Sequence, residues 1–132
     1  MKLLACFSCV LLQILLVTQL TWGQVLFNTN SPCSRAASSL KSMIESKGKE
    51  PLIKFIEEKI APVMIESSTP TELVEMLGEI RRDFSLSTFE NTMPKGPYTA
   101  IMTFAPMVPS LPSRLMFEIS AKHPHRFVYL GY

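Results

Sequence analysis

The sequence lacks a marked excess of charge of either sign. It has 13 lysines and arginines against 11 aspartates and glutamates, a formal net charge of +2. Nucleic-acid binding depends on clustered basic residues. Here the lysines at positions 47, 49, 54 and 59 are interleaved with glutamates, which is typical of a solvent-exposed helix surface. We therefore expect no nucleic-acid partner.

The motifs of several common enzyme classes are also absent. There is no Gly-x-Ser-x-Gly elbow, no His-Glu-x-x-His zinc motif, no phosphate-binding loop and no Asn-x-Ser/Thr glycosylation site. These absences predict a chain that carries no catalytic residues and binds no cofactor and no metal.

The N-terminal residues have the pattern of an export signal. A positively charged start is followed by a mainly apolar stretch over residues 3–20, and Thr21 and Gly23 place small residues at the positions that a signal peptidase reads. An uncleaved membrane anchor is the alternative. A spanning helix needs about 20 largely apolar residues, whereas polar residues interrupt this stretch and cluster at its end. We predict a secreted or periplasmic protein without a membrane span after cleavage, made of a signal peptide (residues 1–23), a flexible lead-in (24–33) and one domain (34–132).

Cysteine is scarce, with three residues in the chain. Cys6 and Cys9 leave with the predicted signal peptide, so Cys33 cannot form an internal disulfide and hydrophobic packing must stabilise the domain. Cys33 lies in a polar run just before the first predicted helix, where a helix N-terminus can make a thiol nucleophilic. We favour the alternative, in which Cys33 is a residue without function in a frayed lead-in.

Apolar residues recur at helical spacing between residues 34 and 84. The spacing predicts a first helix from residue 34, a second that opens at Glu50 with Pro51 in its first turn, and a third that starts at Thr69. Thr69 and Glu72 form the pattern of a capping box. Residues 63–68 are predicted as a short helical turn or loop. Gly78 lies in the middle of the third helix, and we interpret it as the point at which this helix crosses closely over a strand.

After residue 84 the apolar period changes to two. Strands are predicted over residues 85–90, 98–104, 114–120 and 126–130, separated by turns rich in proline and glycine. Helices first and then strands joined by short turns predict an α+β fold, an antiparallel meander with three helices packed on one face. The last strand runs to the end of the chain, as is typical of a module with something fused behind it.

Two patterns could support chemistry, and both have a simpler interpretation. Ser38 and Lys41 match the Ser-x-x-Lys of some serine hydrolases, but the other two motifs of those enzymes are missing. His123 and His125 could offer two imidazoles to a metal, but a site needs three or four ligands. We interpret the first pair as a chance match and the second as turn residues that flank Pro124.

Several segments taken together resemble a known kind of domain. They are the helical segments over residues 51–58 and 73–84 and the closing segment Pro124-His125-Arg126-Phe127 with Tyr129-Leu130-Gly131. The chain resembles the small amino-terminal domain that precedes the catalytic domain of exported bacterial serine hydrolases, both β-lactamase-like and tail-specific-protease-like. The resemblance implies an NTF2-like or cystatin-like sheet with helices, no catalytic residues, and a hydrolase domain or cell-envelope protein as partner. The resemblance implies a hydrolase after Tyr132, and we expect the present chain to be either a free-standing or a truncated form.

Two functions are therefore considered. The first is an exported accessory domain, without catalysis, that binds or positions a partner. The alternative is an NTF2-like small-ligand-binding protein or enzyme that uses the concave face of the sheet, with the candidate residues Tyr98, Met102, Phe104, Glu118 and Tyr129. Met116, Phe117 and His125 are further candidates for this pocket. Because alternate strand residues face opposite sides, not all of them can share one pocket, and an inner face filled by helix side chains would leave no room for a ligand.

Overall fold

A computed structural model of the chain describes residues 30–132. The predicted signal peptide and residues 24–29 of the lead-in lie outside the described residues. The described part forms, in chain order, α1 (Pro32–Glu45), α2 (Glu50–Lys59), α3 (Pro62–Ser67), α4 (Pro70–Ser85), β1 (Ser87–Pro94), β2 (Thr99–Pro106), β3 (Arg114–Ile119) and β4 (Phe127–Gly131). This is the predicted α+β class, and α3 occupies the segment predicted as a short helical turn or loop. No helix within residues 30–132 has the length and apolar character needed to cross a bilayer.

Helix α1 begins two residues earlier than predicted. Ser31 is its N-cap and accepts a hydrogen bond from the backbone N–H of Ser34 at 3.1 Å, while Pro32 takes the first helical position, where its missing N–H has no cost. Cys33 consequently lies in the first turn of α1 and is only 4% exposed. The prediction of a flexible lead-in up to residue 33 is therefore wrong for its last residues, because Ser31 and Pro32 start a helix.

The start of α4 is the predicted capping box. The backbone N–H of Glu72 donates to Oγ1 of Thr69 at 3.2 Å, and the N–H of Thr69 donates to Oε2 of Glu72 at 2.7 Å. Pro70 occupies the first turn. The hydrogen bond from the Thr69 backbone lowers the pKa of the Glu72 carboxyl, and the Thr69 hydroxyl lowers it further. The local sequence thus specifies where this helix begins.

The four strands form one antiparallel sheet in the order β1-β2-β3-β4, the predicted meander. The register shifts between Phe89 and Asn91 in β1, and again in β4, where Glu118 pairs with Tyr129 but Ile119 pairs with Phe127. Each shift is a β-bulge, which inserts one extra residue and reverses the alternation of faces. This explains why Phe127 and Leu130, three positions apart, are both buried.

In residues 30–132, one hydrophobic core lies between the helices and one face of the sheet. Its helical residues include Leu40, Leu77 and Phe84, and its strand residues include Leu115 and Phe117. Along β3 buried and exposed residues alternate strictly, so the sheet presents one face to the helices and one to solvent. Ser31–Tyr132 form one compact unit.

Candidate functional site

The structure does not bring the predicted pocket residues together. Met102 is fully buried and Phe104 is 4% exposed, both in the core beneath the helices. Glu118 and Tyr129 pair across β3 and β4 on the opposite, exposed face. Tyr98 is half-buried just before β2 and stacks on His125, with ring centroids 5.9 Å apart. These five residues therefore do not line one pocket, because strand alternation divides them between the two faces.

The further candidates divide in the same way. Phe117 is fully buried in the core, whereas Met116 is 39% exposed on the open face of the sheet. The region of the inner face around Met102 and Phe117 is filled by helix side chains. The prediction of a ligand pocket at that place is wrong, because the core occupies it.

The helices leave a different part of the inner face open, beside β1. A groove of about 620 Å³ lies between α1, α4 and the first two strands, and we call it the β1 groove. Its lining residues come from α1 and the loop after it, from α4, and from the strands: Lys41, Ile44, Glu45, Ser46, Lys47 and Gly48; Gly78, Arg81, Arg82, Phe84 and Ser85; and Ser87, Phe89 and Phe104.

Aromatic rings form the floor of the β1 groove. Phe104 lies between two other rings, with its centroid 4.6 Å from that of Phe84 and 5.7 Å from that of Phe89. Phe84 and Phe104 are core residues, and Phe89 is partly buried against the core. Because the rest of the core holds these rings, the floor is a rigid apolar surface. Phe104, predicted as a ligand residue for another pocket, is part of this floor.

Basic side chains dominate the polar lining of the groove. Among the described residues, four lysines and arginines line it against one acidic residue, Glu45. The Nζ of Lys41 lies 3.0 Å from Oε1 of Glu45 and 5.8 Å from the centroid of Phe89. Arg82 pairs with the neighbouring Asp83 at 3.1 Å. Lys47 and Arg81 add two further positive charges, so the groove combines an apolar floor with a cationic rim.

Two glycines shape the β1 groove. Gly48 follows α1 with a φ of +82°, in the left-handed region that glycine adopts without strain. A Cβ at Gly78 would meet nothing within 4 Å, so the interpretation of Gly78 as a close crossing over a strand is wrong. Gly78 instead faces the groove, and its missing side chain leaves part of that space free.

A buried hydroxyl also lines the β1 groove. The Oγ of Ser87 is inaccessible to solvent and has no hydrogen-bond partner among the described residues. Buried polar groups are normally paired, since an unpaired one costs about 1–3 kcal/mol. Because no solvent reaches this atom, the Ser87 hydroxyl lies beneath the surface of the groove.

The sites considered in the sequence have no catalytic arrangement. Cys33 donates a weak hydrogen bond from Sγ to the carbonyl of Pro97 at 3.5 Å, and burial raises the pKa of its thiol. A raised pKa opposes the thiolate form that a nucleophile requires. Ser38 is exposed on α1, and Lys41 points to Glu45 and the β1 groove. No group of three or more potential metal ligands occurs within residues 30–132.

Comparison with known proteins adds no relative to this description. No protein-family model, curated protein or solved structure matches the chain. One sequence feature coincides with the groove, although it did not predict a site: a glycine in the interior of α4 is followed by two arginines in the last turns of that helix.

The open face of the sheet carries a second surface of interest. Met93, Ile101, Met116 and Gly131 are cross-strand neighbours in one row over all four strands. Tyr129, 45% exposed, covers Gly131, since a Cβ at position 131 would lie 2.8 Å from its Cζ. The row is apolar from one edge of the sheet to the other.

Proposed function

We propose that this chain is an exported, non-catalytic binding domain whose β1 groove holds a small amphipathic molecule with an apolar or aromatic body and one anionic group. The observation that carries the proposal is the combination of an aromatic floor and a cationic rim in one groove of about 620 Å³. Small-molecule sites have volumes of roughly 300–1,000 Å³, with apolar walls and a few convergent polar groups.

Each part of the groove has a role in this proposal. The rings of Phe84, Phe89 and Phe104 contact the apolar body and remove it from water. Lys47 and Arg81 attract the anionic group.

The test is binding of 8-anilinonaphthalene-1-sulfonate, which joins an aromatic body to a sulfonate, and of laurate as a competitor. We expect saturable fluorescence with one site on the folded protein. Gly78→Leu fills the groove and should weaken binding about tenfold, equivalent to ~1.4 kcal/mol. Thr71→Leu is the matched control, since it adds the same side chain to an exposed position of α4 outside the groove lining.

The charge requirement has its own pair of variants. Lys47→Gln removes a cation that lines the groove, and Lys49→Gln removes one two residues away that does not. We expect the affinity for 8-anilinonaphthalene-1-sulfonate to fall about fivefold in Lys47→Gln and to stay unchanged in Lys49→Gln. Unsaturable binding, or equal binding by Gly78→Leu and the unsubstituted chain, would refute the proposal.

The second candidate function is the accessory domain that the resemblance implies, with the catalytic domain of an exported serine hydrolase as partner. The apolar row on the open face of the sheet supports it, because flexible methionines and an exposed tyrosine suit a protein interface. An in-frame hydrolase encoded beyond Tyr132 would favour this function. Association with that hydrolase should then be lost in Met116→Glu and kept in Gly78→Leu.

The absence of catalysis is tested separately. The purified chain should show only background rates with ester, β-lactam and peptide substrates. Turnover that disappears in Ser38→Ala would show that the chain is an enzyme. Export is tested by N-terminal sequencing of the secreted product, for which we expect Gln24 as the first residue.

A further inference from the structure

A smaller pocket lies beside the first turns of α1 and the turn between β3 and β4. Its volume is about 140 Å³, and its lining includes Arg35, Lys59, His123 and His125. The described residues that line it include no aspartate or glutamate. At roughly 30 Å³ for each water, the space has room for a few water molecules and is large enough for one tetrahedral oxyanion. We call it the histidine pocket.

The ring of His125 is held in one orientation. Its Nδ1 lies 2.9 Å from the carbonyl oxygen of Ser120, and the ring stacks on that of Tyr98 at an interplanar angle of 19°. A carbonyl oxygen only accepts, so Nδ1 carries the hydrogen of this bond. In the neutral ring Nε2 is then an acceptor, and it becomes a donor only when the imidazole is protonated.

The charges around this ring come from three parts of the chain. Arg35 belongs to α1, Lys59 to the end of α2, and His123 precedes His125 in the turn. The rings of His123 and His125 lie 5.8 Å apart, nearly perpendicular. Two permanent cations and two imidazoles thus surround a space of anion size.

We propose that the histidine pocket binds one tetrahedral oxyanion, sulfate or phosphate, either free or as the anionic group of a larger molecule, and that binding strengthens when the pH falls. Lys59 supplies attraction at every pH. His125 adds a hydrogen-bond donor from Nε2 only when it is protonated, and His123 adds positive charge under the same condition. The site is independent of the β1 groove, with which it shares no lining residue.

The test uses sulfate, whose charge is constant over the range in which histidine titrates, at about pH 5.5 and about pH 8 and at fixed ionic strength. Calorimetry measures the affinity, and amide chemical shifts locate the site. We expect binding about fivefold tighter at the lower pH, with the largest shifts at residues 35–39 and 123–126. A phosphomonoester such as glycerol phosphate, compared with inorganic phosphate, distinguishes a free ion from a phosphorylated molecule.

The variants separate the two sources of attraction. His125→Asn keeps a residue that tolerates the left-handed backbone at φ 55° and should abolish most of the pH dependence. Should this variant fail to fold, His123→Gln, at an exposed position, should reduce the pH dependence in its place. Lys59→Gln should weaken binding about threefold at both pH values, while Lys54→Gln, on the same helix but outside the pocket, should change nothing. Gly78→Leu should also leave sulfate binding unchanged. The proposal for the histidine pocket can therefore fail while the proposal for the β1 groove holds, and the reverse.

Weak binding that is independent of pH and survives every variant would mean an adventitious ion only and would overturn the proposal. Chemical shifts confined to Lys47 and Arg81 would do the same, because they would place the anion in the β1 groove.

Discussion

The guanidinium of Arg81 donates a hydrogen bond from Nη1 to the backbone carbonyl of Gly48 at 2.6 Å. This bond joins α4 to the loop after α1, and both residues line the β1 groove. Gly48 adopts a left-handed conformation there, so the loop has a defined shape that one side chain of the opposite helix holds in place. The groove therefore has a fixed width at this end.

Arg81→Met should release this loop. We expect faster hydrogen exchange of the amides of residues 47–49 and weaker binding of 8-anilinonaphthalene-1-sulfonate. The free energy of unfolding should fall by about 0.5–1 kcal/mol, a modest loss because the bond is solvent-exposed. Arg82→Met is the matched control, since it also removes one groove cation but makes no bond to the loop. Equal exchange rates in the two variants would show that Arg81 does not hold the loop.

Phe127→Ala should destabilise the domain severely. Phe127 is 1% exposed, and its ring lies 5.4 Å from that of Phe55 and 5.5 Å from that of Phe117, so the substitution leaves a cavity between α2 and the sheet. The expected loss is about 3–5 kcal/mol, against a total stability of about 5–15 kcal/mol for a domain.

Tyr129→Ala, two residues away, is the control for this prediction. Its side chain is on the open face, so the loss should be about 1 kcal/mol or less. Urea denaturation measures both variants. Similar losses in the two would contradict the placement of the β4 bulge, which turns Phe127 toward the helices and Tyr129 toward solvent.

The hydrogen bond from the Tyr132 hydroxyl to the Asp83 carboxylate should make the free energy of unfolding depend on pH in alkaline solution. The bond to Asp83 raises the pKa of Tyr132 to about 12, above its ordinary 10.0. Folding thus favours the neutral phenol. The contribution of this hydrogen bond to the free energy of unfolding is complete below pH 10 and is lost as the pH rises from about 10 to about 12. The same bond lowers the pKa of Asp83, so a matching contribution is present above its ordinary 3.8 and is lost as the pH falls below that value.

Tyr132→Phe tests this by removing the hydroxyl while keeping the ring, which meets Phe84 edge-on at 5.3 Å. The variant should be less stable by about 0.5–1 kcal/mol at neutral pH, a modest value because the pair is solvent-exposed. The difference should shrink above about pH 10. Tyr129→Phe is the control, and a difference that is constant to pH 12 would contradict the assigned bond.

Much of the architecture was predictable because local patterns specify it. The capping box at Thr69 determines the start of α4, Pro51 and Pro62 mark the start and the end of α2, and the change of apolar period after residue 84 marks the passage from helices to strands. The sequence pattern predicts the start of α1 two residues too late, since Ser31 and Pro32 lie in a polar run that is also typical of a linker. Both bulges were also missed, because a single extra residue leaves no local signature and depends on the register of the partner strand.

The sequence by itself determined the helix caps, the order of the elements and the inward-facing set of most strands, since these depend on neighbours within a few positions along the chain. Only the tertiary structure decided where space remains. The β1 groove exists because α1 and α4 leave one edge of the sheet uncovered, and it unites residues up to 63 positions apart, Lys41 and Phe104 among them. The histidine pocket likewise joins Arg35 of α1 to His125 of the last turn. Such juxtapositions arise from the packing of whole elements, so no spacing along the chain encodes them.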